Sequence, residues 1–318
     1  MFFCQIADYN LFLQNCVDRG NILSYSSFML KDAYVYRGII FIMLAELFFT
    51  LSTVFSKLLT SSSNISAIEV TFSRFLLGVL VVSVIVYKSS ISLVPNKLSL
   101  VVWRGVLNTA AVILFFLASQ YTTITNTHML NMTYPFFVFL FSPLFFRSEK
   151  ISPSLYLILI AALIGIWLVV NPSLDHINKG DVFGLLSGIV AAFAVITLNM
   201  ARKNDSTLIV LFYLMSIGTV LNGLAMLPVF IWPRGSQWLW LLVSGGVGVL
   251  GQVCITYGYK YINARAGSLV STSRILYAVL LGMLIFSEDL TLRITVGGIL
   301  IFVSIVTVTW LQKPENES

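Results

Sequence analysis

The chain has 318 residues, of which 58% are hydrophobic and 10% charged, with a formal net charge of +6. A soluble domain carries about 25% charged residues, so a chain this apolar cannot cover a water-facing surface, and it reads as an integral membrane protein. The basic excess reads as a bias of positive residues toward one membrane face rather than as a nucleic-acid patch, and no nucleic-acid partner is expected. The three cysteines, Cys4, Cys16 and Cys254, have no metal-ligand spacing, and Cys254 lies in an apolar run as a packing residue.

Residues 1–36 read as a cytoplasmic tail. The stretch "MFFCQIADYNLFLQNCVDRGNILSYSSF" has no basic region ahead of an apolar core, so it is not a signal peptide, and it is too polar to span a bilayer. Met29 opens "MLKDAYVYRG", which suits a start site downstream of the first methionine.

Ten apolar segments of spanning length follow, near 37–58, 67–88, 98–118, 124–146, 152–171, 181–201, 207–231, 237–259, 265–286 and 292–312. In the first, Glu46 lies nine residues in, about 14 Å deep at 1.5 Å per residue, with Thr50 and Thr53 at i+4 and i+7. Glu46 reads either as the binder of a cationic group or a coupling proton, or as half of an ion pair. Arg74 in the second segment reads as a fold-organising partner for Glu46 or Glu69. Arg104, at the start of the third, reads as snorkelling to the cytoplasmic interface.

The fourth segment carries His128, Asn131 and Pro135 at i, i+3 and i+7, on one helical face. Pro135 removes a backbone hydrogen bond and bends the helix, and Asn131 satisfies its amide across helices or on a solute. His128 is placed toward the outer end, near water. Tyr134, Gln120 and, in the eighth segment, Gln252 and Tyr257 are weaker cavity candidates. In the ninth segment Arg274, with Ser271 at i−3 and Tyr277 at i+3, reads as a clamp for an anionic group or as the partner of Glu46. The fifth and tenth segments hold few polar residues and read as peripheral, leaving a cavity among segments 1–4 and 6–9.

If the N-terminus is cytoplasmic, the inner flanks hold most of the basic residues, among them Lys88, Lys97, Arg147, Arg202, Lys203 and Lys260, against Lys57, Lys179, Arg234 and Arg293 outside. Both termini are then cytoplasmic. The halves also resemble each other. "SEKIS" (148–152) after the fourth segment matches "SEDLT" (287–291) after the ninth, and "ASQYTTITNT" matches "GYKYINARAG". Five helices per unit is an odd number, so the second unit enters the membrane inverted, as in transporters whose sites lie between repeats. The predicted units are 37–171 and 181–312, followed by a short tail, 313–318.

The local motifs "SRFLLG" (73–78), "WRGVLNTAAVILFFLASQYT" (103–122), "YPFFVFLFSPLFFRSEK" (134–150) and "IGIWLVV" (164–170), together with the paired halves, resemble the drug/metabolite transporter superfamily, EamA type. The resemblance spans about residues 37–312. It implies an all-α integral membrane protein of ten transmembrane helices in two inverted five-helix repeats, moving a small organic solute by alternating access in a bacterial inner membrane. That solute could be an amino acid, an amine, a nucleotide-like metabolite such as S-adenosylmethionine, or a drug, and the coexistence of Glu46 and Arg274 mildly favours a zwitterion or a mixed-charge metabolite. Arg274 stands where the ninth segment aligns with Pro135.

No cofactor is expected. "SGGVGVLGQ" follows no strand, so its glycines suit helix packing rather than phosphate binding, and the histidines, His128 and His176, form no catalytic constellation. Lipid is the surrounding partner, and a homodimer is left open. The other class consistent with this composition is a receptor or scaffold without transport.

Overall fold

The computed structural model describes residues 23–89, 92–122, 124–146, 153–170, 178–286 and 290–311. Every regular element among them is helical. In chain order they are α1 (Leu23–Ser62), α2 (Ala67–Ser89), α3 (Leu98–Tyr121), α4 (Ile124–Asn131), α5 (Tyr134–Phe145), α6 (Pro153–Val170), α7 (Lys179–Asn204), α8 (Thr207–Met226), α9 (Gln237–Gly258), α10 (Ala264–Val270), α11 (Ser273–Phe286) and α12 (Leu292–Leu311). Hydrocarbon offers no partner to a backbone N–H or C=O, so a chain this apolar satisfies its backbone within helices.

Among the described residues nine segments are long and apolar enough to cross a membrane. The predicted fourth segment is instead divided into α4, of 8 residues, and α5, of 12, and neither piece would span alone. The ninth is divided as well, into α10 and α11. The helix α1 begins at Leu23, so residues 23–36, expected as a tail, are already helical. The proposed start site, Met29, lies within α1, whereas the "SEKIS" loop and the C-terminal tail fall outside the described residues and "SEDLT" falls largely so.

The helices pack in a regular set of pairs. α3 lies along α7 and α9 along α1; α3 also meets α8, and α9 meets α2. α2 pairs with α8, and α6 with α12. Small residues allow the close approaches, as expected where lipid supplies no hydrophobic drive between helices. A Cβ built on Gly165 of α6 would lie 2.7 Å from the carbonyl oxygen of Gly297 on α12, and one on Gly297 equally close to that of Gly165. α6 and α12 turn bulky side chains such as Leu157, Ile160, Phe302 and Trp310 outward, which suits lipid contact and matches their predicted peripheral place. Polar side chains gather inside, where the site lies.

Candidate functional site

A cavity of about 270 Å³ lies among α1, α2, α3, α4, α7 and α9, closed by Tyr134 of α5 and Arg274 of α11. The helix α8 contributes no lining residue, contrary to expectation, because it packs behind α2 and α3. On α1 the wall is Glu46, Phe49, Ser52, Thr53 and Ser56, at i, i+3, i+6, i+7 and i+10 along one helical face. The cavity therefore runs about 15 Å along the helix, from Glu46 toward the end where α1 terminates. Thr50 lies off this stripe: it is buried, and its hydroxyl donates to the Glu46 carbonyl at 2.7 Å.

At the floor, Arg274 Nε donates to Glu46 Oε2 at 2.6 Å. The Glu46 side chain is fully buried, whereas that of Arg274 is 28% exposed, so the arginine fronts the cavity and the carboxylate sits behind it. The Arg274 guanidinium also lies 5.3 Å from the Phe49 ring centroid, in cation–π range. The ion pair with Arg274, one of the two readings of Glu46, is present through Oε2. The second oxygen of Glu46, Oε1, is buried without a hydrogen-bond partner. Ser271, Tyr134 and Tyr259 lie near enough to feel the Glu46 charge, and the hydroxyls of Ser271 and Tyr259 are themselves buried without a hydrogen-bond partner.

Arg274 reaches Glu46 because its helix is interrupted just before it. Between α10 and α11 the backbone N–H of Thr272 and its hydroxyl both donate to the Leu269 carbonyl, at 3.1 and 2.6 Å. The same device separates α4 from α5: the N–H and hydroxyl of Thr133 both donate to the Leu130 carbonyl, at 3.3 and 2.6 Å. Pro135 follows in the first turn of α5, where a missing N–H costs nothing. It therefore begins a new helix rather than bending a continuous one. The two breaks share the spacing Leu-x-x-Thr, in "LNMT" (130–133) and "LVST" (269–272), 139 residues apart. That recurrence was readable, but only once the halves were aligned.

The first break is held by α7. Asn131 Nδ2 donates to Ser187 Oγ at 3.0 Å, and that hydroxyl donates to the Gly184 carbonyl. A Cβ on Gly188 would lie 2.8 Å from the Leu130 carbonyl oxygen and 3.2 Å from that of Asn131, so only glycine lets the broken backbone come this close. Asn131, Tyr134 and His128 all line the cavity. His128 is half-buried rather than free in water, with its ring edge-on to Phe115 at 4.9 Å. Gln252 lines the cavity with a buried, unpartnered Nε2. Tyr277 is half-buried and does not line it. The side chain of Gln120 lies outside the described residues.

Two arginines differ from expectation. Arg104 does not snorkel: it is 4% exposed, lines the cavity, and donates from Nη1 to the Ala194 carbonyl on α7 at 3.0 Å. Arg74 reaches neither Glu46 nor Glu69. It fronts the cavity with its guanidinium 5.1 Å from the Phe75 ring centroid, and Glu69 instead accepts from the Ile231 N–H at 3.4 Å.

The other end of the bundle is knitted shut by polar contacts that sequence reasoning missed. Asn199 donates to the Tyr259 and Ile262 carbonyls at 3.3 and 3.0 Å. Arg202 donates to the Thr256 carbonyl at 3.1 Å and to that of Asp205. The Asp205 carboxylate accepts the N–H groups of Asn96 and Lys97, tying the α7–α8 connection to the α2–α3 connection. A carboxylate amid the basic residues of "RKNDS" was the available signal. Among the described residues, no three His, Cys, Asp or Glu side chains gather as metal ligands.

Comparison with known proteins places this architecture. The chain is 27% identical over 278 residues to the pseudopaline exporter CntI of Pseudomonas aeruginosa (strain UCBPP-PA14), covering 87% of this chain and 97% of that protein. It is 24% identical over 285 residues to the human solute carrier family 35 member G1, covering 84% and 77%. A solved crystal structure superposes with a TM-score of 0.68 at 18% identity over 86% of this chain and 99% of that one, which speaks to the fold alone. Two segments, residues 36–171 and 178–310, each match the EamA-like transporter family, and together they take in nearly all the described helices. The chain belongs to the EamA-like transporter family, within the drug/metabolite transporter superfamily, and is a multi-pass integral membrane protein.

Proposed function

We propose that the protein is a secondary carrier that moves a small organic solute by alternating access. The carrying observation is the cavity itself. It is polar at its floor, walled by aromatics, and bounded by two interrupted helices, while the opposite end is closed by hydrogen bonds that a rearrangement could exchange. Discontinuous helices at a cavity are tolerated in a bilayer and frame the sites of many carriers.

In this reading ten helices cross the membrane as two inverted five-helix units. The reciprocal packing supports it: exchanging the halves turns α3–α7 into α9–α1, turns α3–α8 into α9–α2, and maps α2–α8 and α6–α12 onto themselves. The charge bias supports both termini lying in the cytoplasm of a bacterial cell, and in that reading the closed end faces the cytoplasm and the cavity the outside. The solute is drawn from the amino acids, amines, nucleotide-like metabolites such as S-adenosylmethionine, or drugs, and the relative named as a pseudopaline exporter supports a metabolite.

The test is a metabolite panel in cells with and without the protein, measuring uptake and efflux, followed by flux in proteoliposomes. Saturable flux of at least one solute that depends on the protein is expected. A folded, reconstituted protein that moves nothing across the whole panel would reject the carrier and favour a receptor.

A further inference from the structure

The cavity carries an excess of positive charge. Its ionisable walls are three arginines, Arg74, Arg104 and Arg274, one acid, Glu46, and His128. Glu46 neutralises Arg274, and Arg104 is anchored to the Ala194 carbonyl. Arg74 has neither an ion pair nor a hydrogen bond among the described residues, and it feels the repulsive field of Arg274. Its placement is built. A Cβ on Gly248 of α9 would lie 2.4 Å from Arg74 Cδ, and one on Gly245 would lie 3.3 Å from its Cα, so the glycines of α9 form a slot for its stem.

The Arg74 side chain is half-buried and opens on the cavity, so a cation without a counter-charge is presented to whatever enters it. The arrangement is explained if the counter-charge arrives with the ligand, since a guanidinium fork matches a carboxylate or phosphate. Two further buried donors on the cavity lining, Arg104 Nε and Gln252 Nε2, have no acceptor. The unpartnered acceptor there, Glu46 Oε1, suits a hydroxyl or ammonium elsewhere on the same molecule. Phe49, Phe115 and Phe116 supply an apolar wall. At about 270 Å³ the space lies just below the range of about 300–1,000 Å³ typical of drug-sized ligands.

We propose that the solute is a small organic anion with an apolar or aromatic body, and that Arg74, held in the glycine slot of α9, is the residue that binds its acidic group. This rests on the cavity being the solute site of the carrier proposed above, and it narrows the solute from mixed charge to a net anion.

The test uses three probes with one body and different heads: 3-phenylpropionate, 3-phenylpropan-1-ol and 3-phenylpropylamine, with glutarate as a second acid. Purified full-length protein in lipid nanodiscs is melted with each probe at low salt. The acids should raise Tm, and the alcohol and amine should not. Arg74→Gln should melt no earlier than the parent without ligand, because it removes an unneutralised charge, yet bind the acids at least about tenfold more weakly. Arg74→Lys, which keeps charge but not the fork, should fall between. If Arg74→Gln fails to fold, Gly248→Ala, which displaces the arginine stem, should show the same loss.

Stabilisation by the amine instead of the acids, no stabilisation by either acid, or unchanged acid binding in Arg74→Gln or Gly248→Ala would overturn the proposal. Flux in proteoliposomes separates the two claims. Acid binding without flux rejects the carrier and keeps the anion site, whereas flux of amines alone rejects the anion site and keeps the carrier.

Discussion

The two interrupted helices are built by one device and used for two purposes. Each ends its first piece where a threonine donates twice to the leucine carbonyl three residues back. After the first break come Tyr134 and Pro135, so that half supplies a ring and a rigid helix start, steadied by α7 through Asn131 and Ser187. After the second come Ser273 and Arg274, so that half delivers a cation to Glu46 on α1. A shared backbone geometry thus fixes where a side chain enters the cavity, while the residue placed there sets the chemistry.

The largest effect should come from breaking the charged side of this comparison. Glu46→Gln leaves Arg274 without its counter-charge, and with the carboxylate fully buried the cost should be about 3 kcal/mol, toward the low end for buried pairs because the arginine is partly exposed. Thermal melts should show this. Glu46→Gln with Arg274→Gln should recover most of the stability, and flux should stay low in both. Undiminished stability and flux in Glu46→Gln would remove the pair from the site.

The neutral break should fail sterically instead. Gly188→Ala drives a methyl group to 2.8 Å from the Leu130 carbonyl oxygen, and overpacking of this kind costs about 1–3 kcal/mol. The double hydrogen bonds test the shared device itself. Thr133→Val and Thr272→Val each lose one hydroxyl bond, for about 1 kcal/mol apiece in thermal melts. A large loss in one and none in the other would mean the likeness is superficial. Smallest of all, Thr50→Val should alter flux less than about twofold, because that hydroxyl only returns to its own helix.

Much of this was legible in the sequence. Long apolar runs define the helices, and charge in such a run marks a residue turned inward, which singled out Glu46 and Arg274. What was not legible is tertiary. Arg104 looks like an interfacial residue because it opens its segment, and only the Ala194 carbonyl on α7 keeps it inside. Thr50 shares a helical quadrant with Glu46, yet the wall follows i+3 and i+7 instead. The second break carries no proline or glycine at the interruption, so local propensity gives no warning of it, and a lone Leu-x-x-Thr is too common to notice.

The central claim is that the halves are one unit inserted in opposite senses, so that their shared cavity can open to either face. Sided labelling tests it most directly. In a background with Cys4, Cys16 and Cys254 replaced, single cysteines at Asn64, in the α1–α2 connection, and Ser206, in the α7–α8 connection, occupy equivalent exposed loops of the two halves. A membrane-impermeant thiol reagent added to intact cells should label Asn64→Cys, whereas Ser206→Cys should react only after the membrane is opened. Labelling of both positions from the same side would contradict the inverted arrangement and, with it, the account of the cavity as a path between two faces.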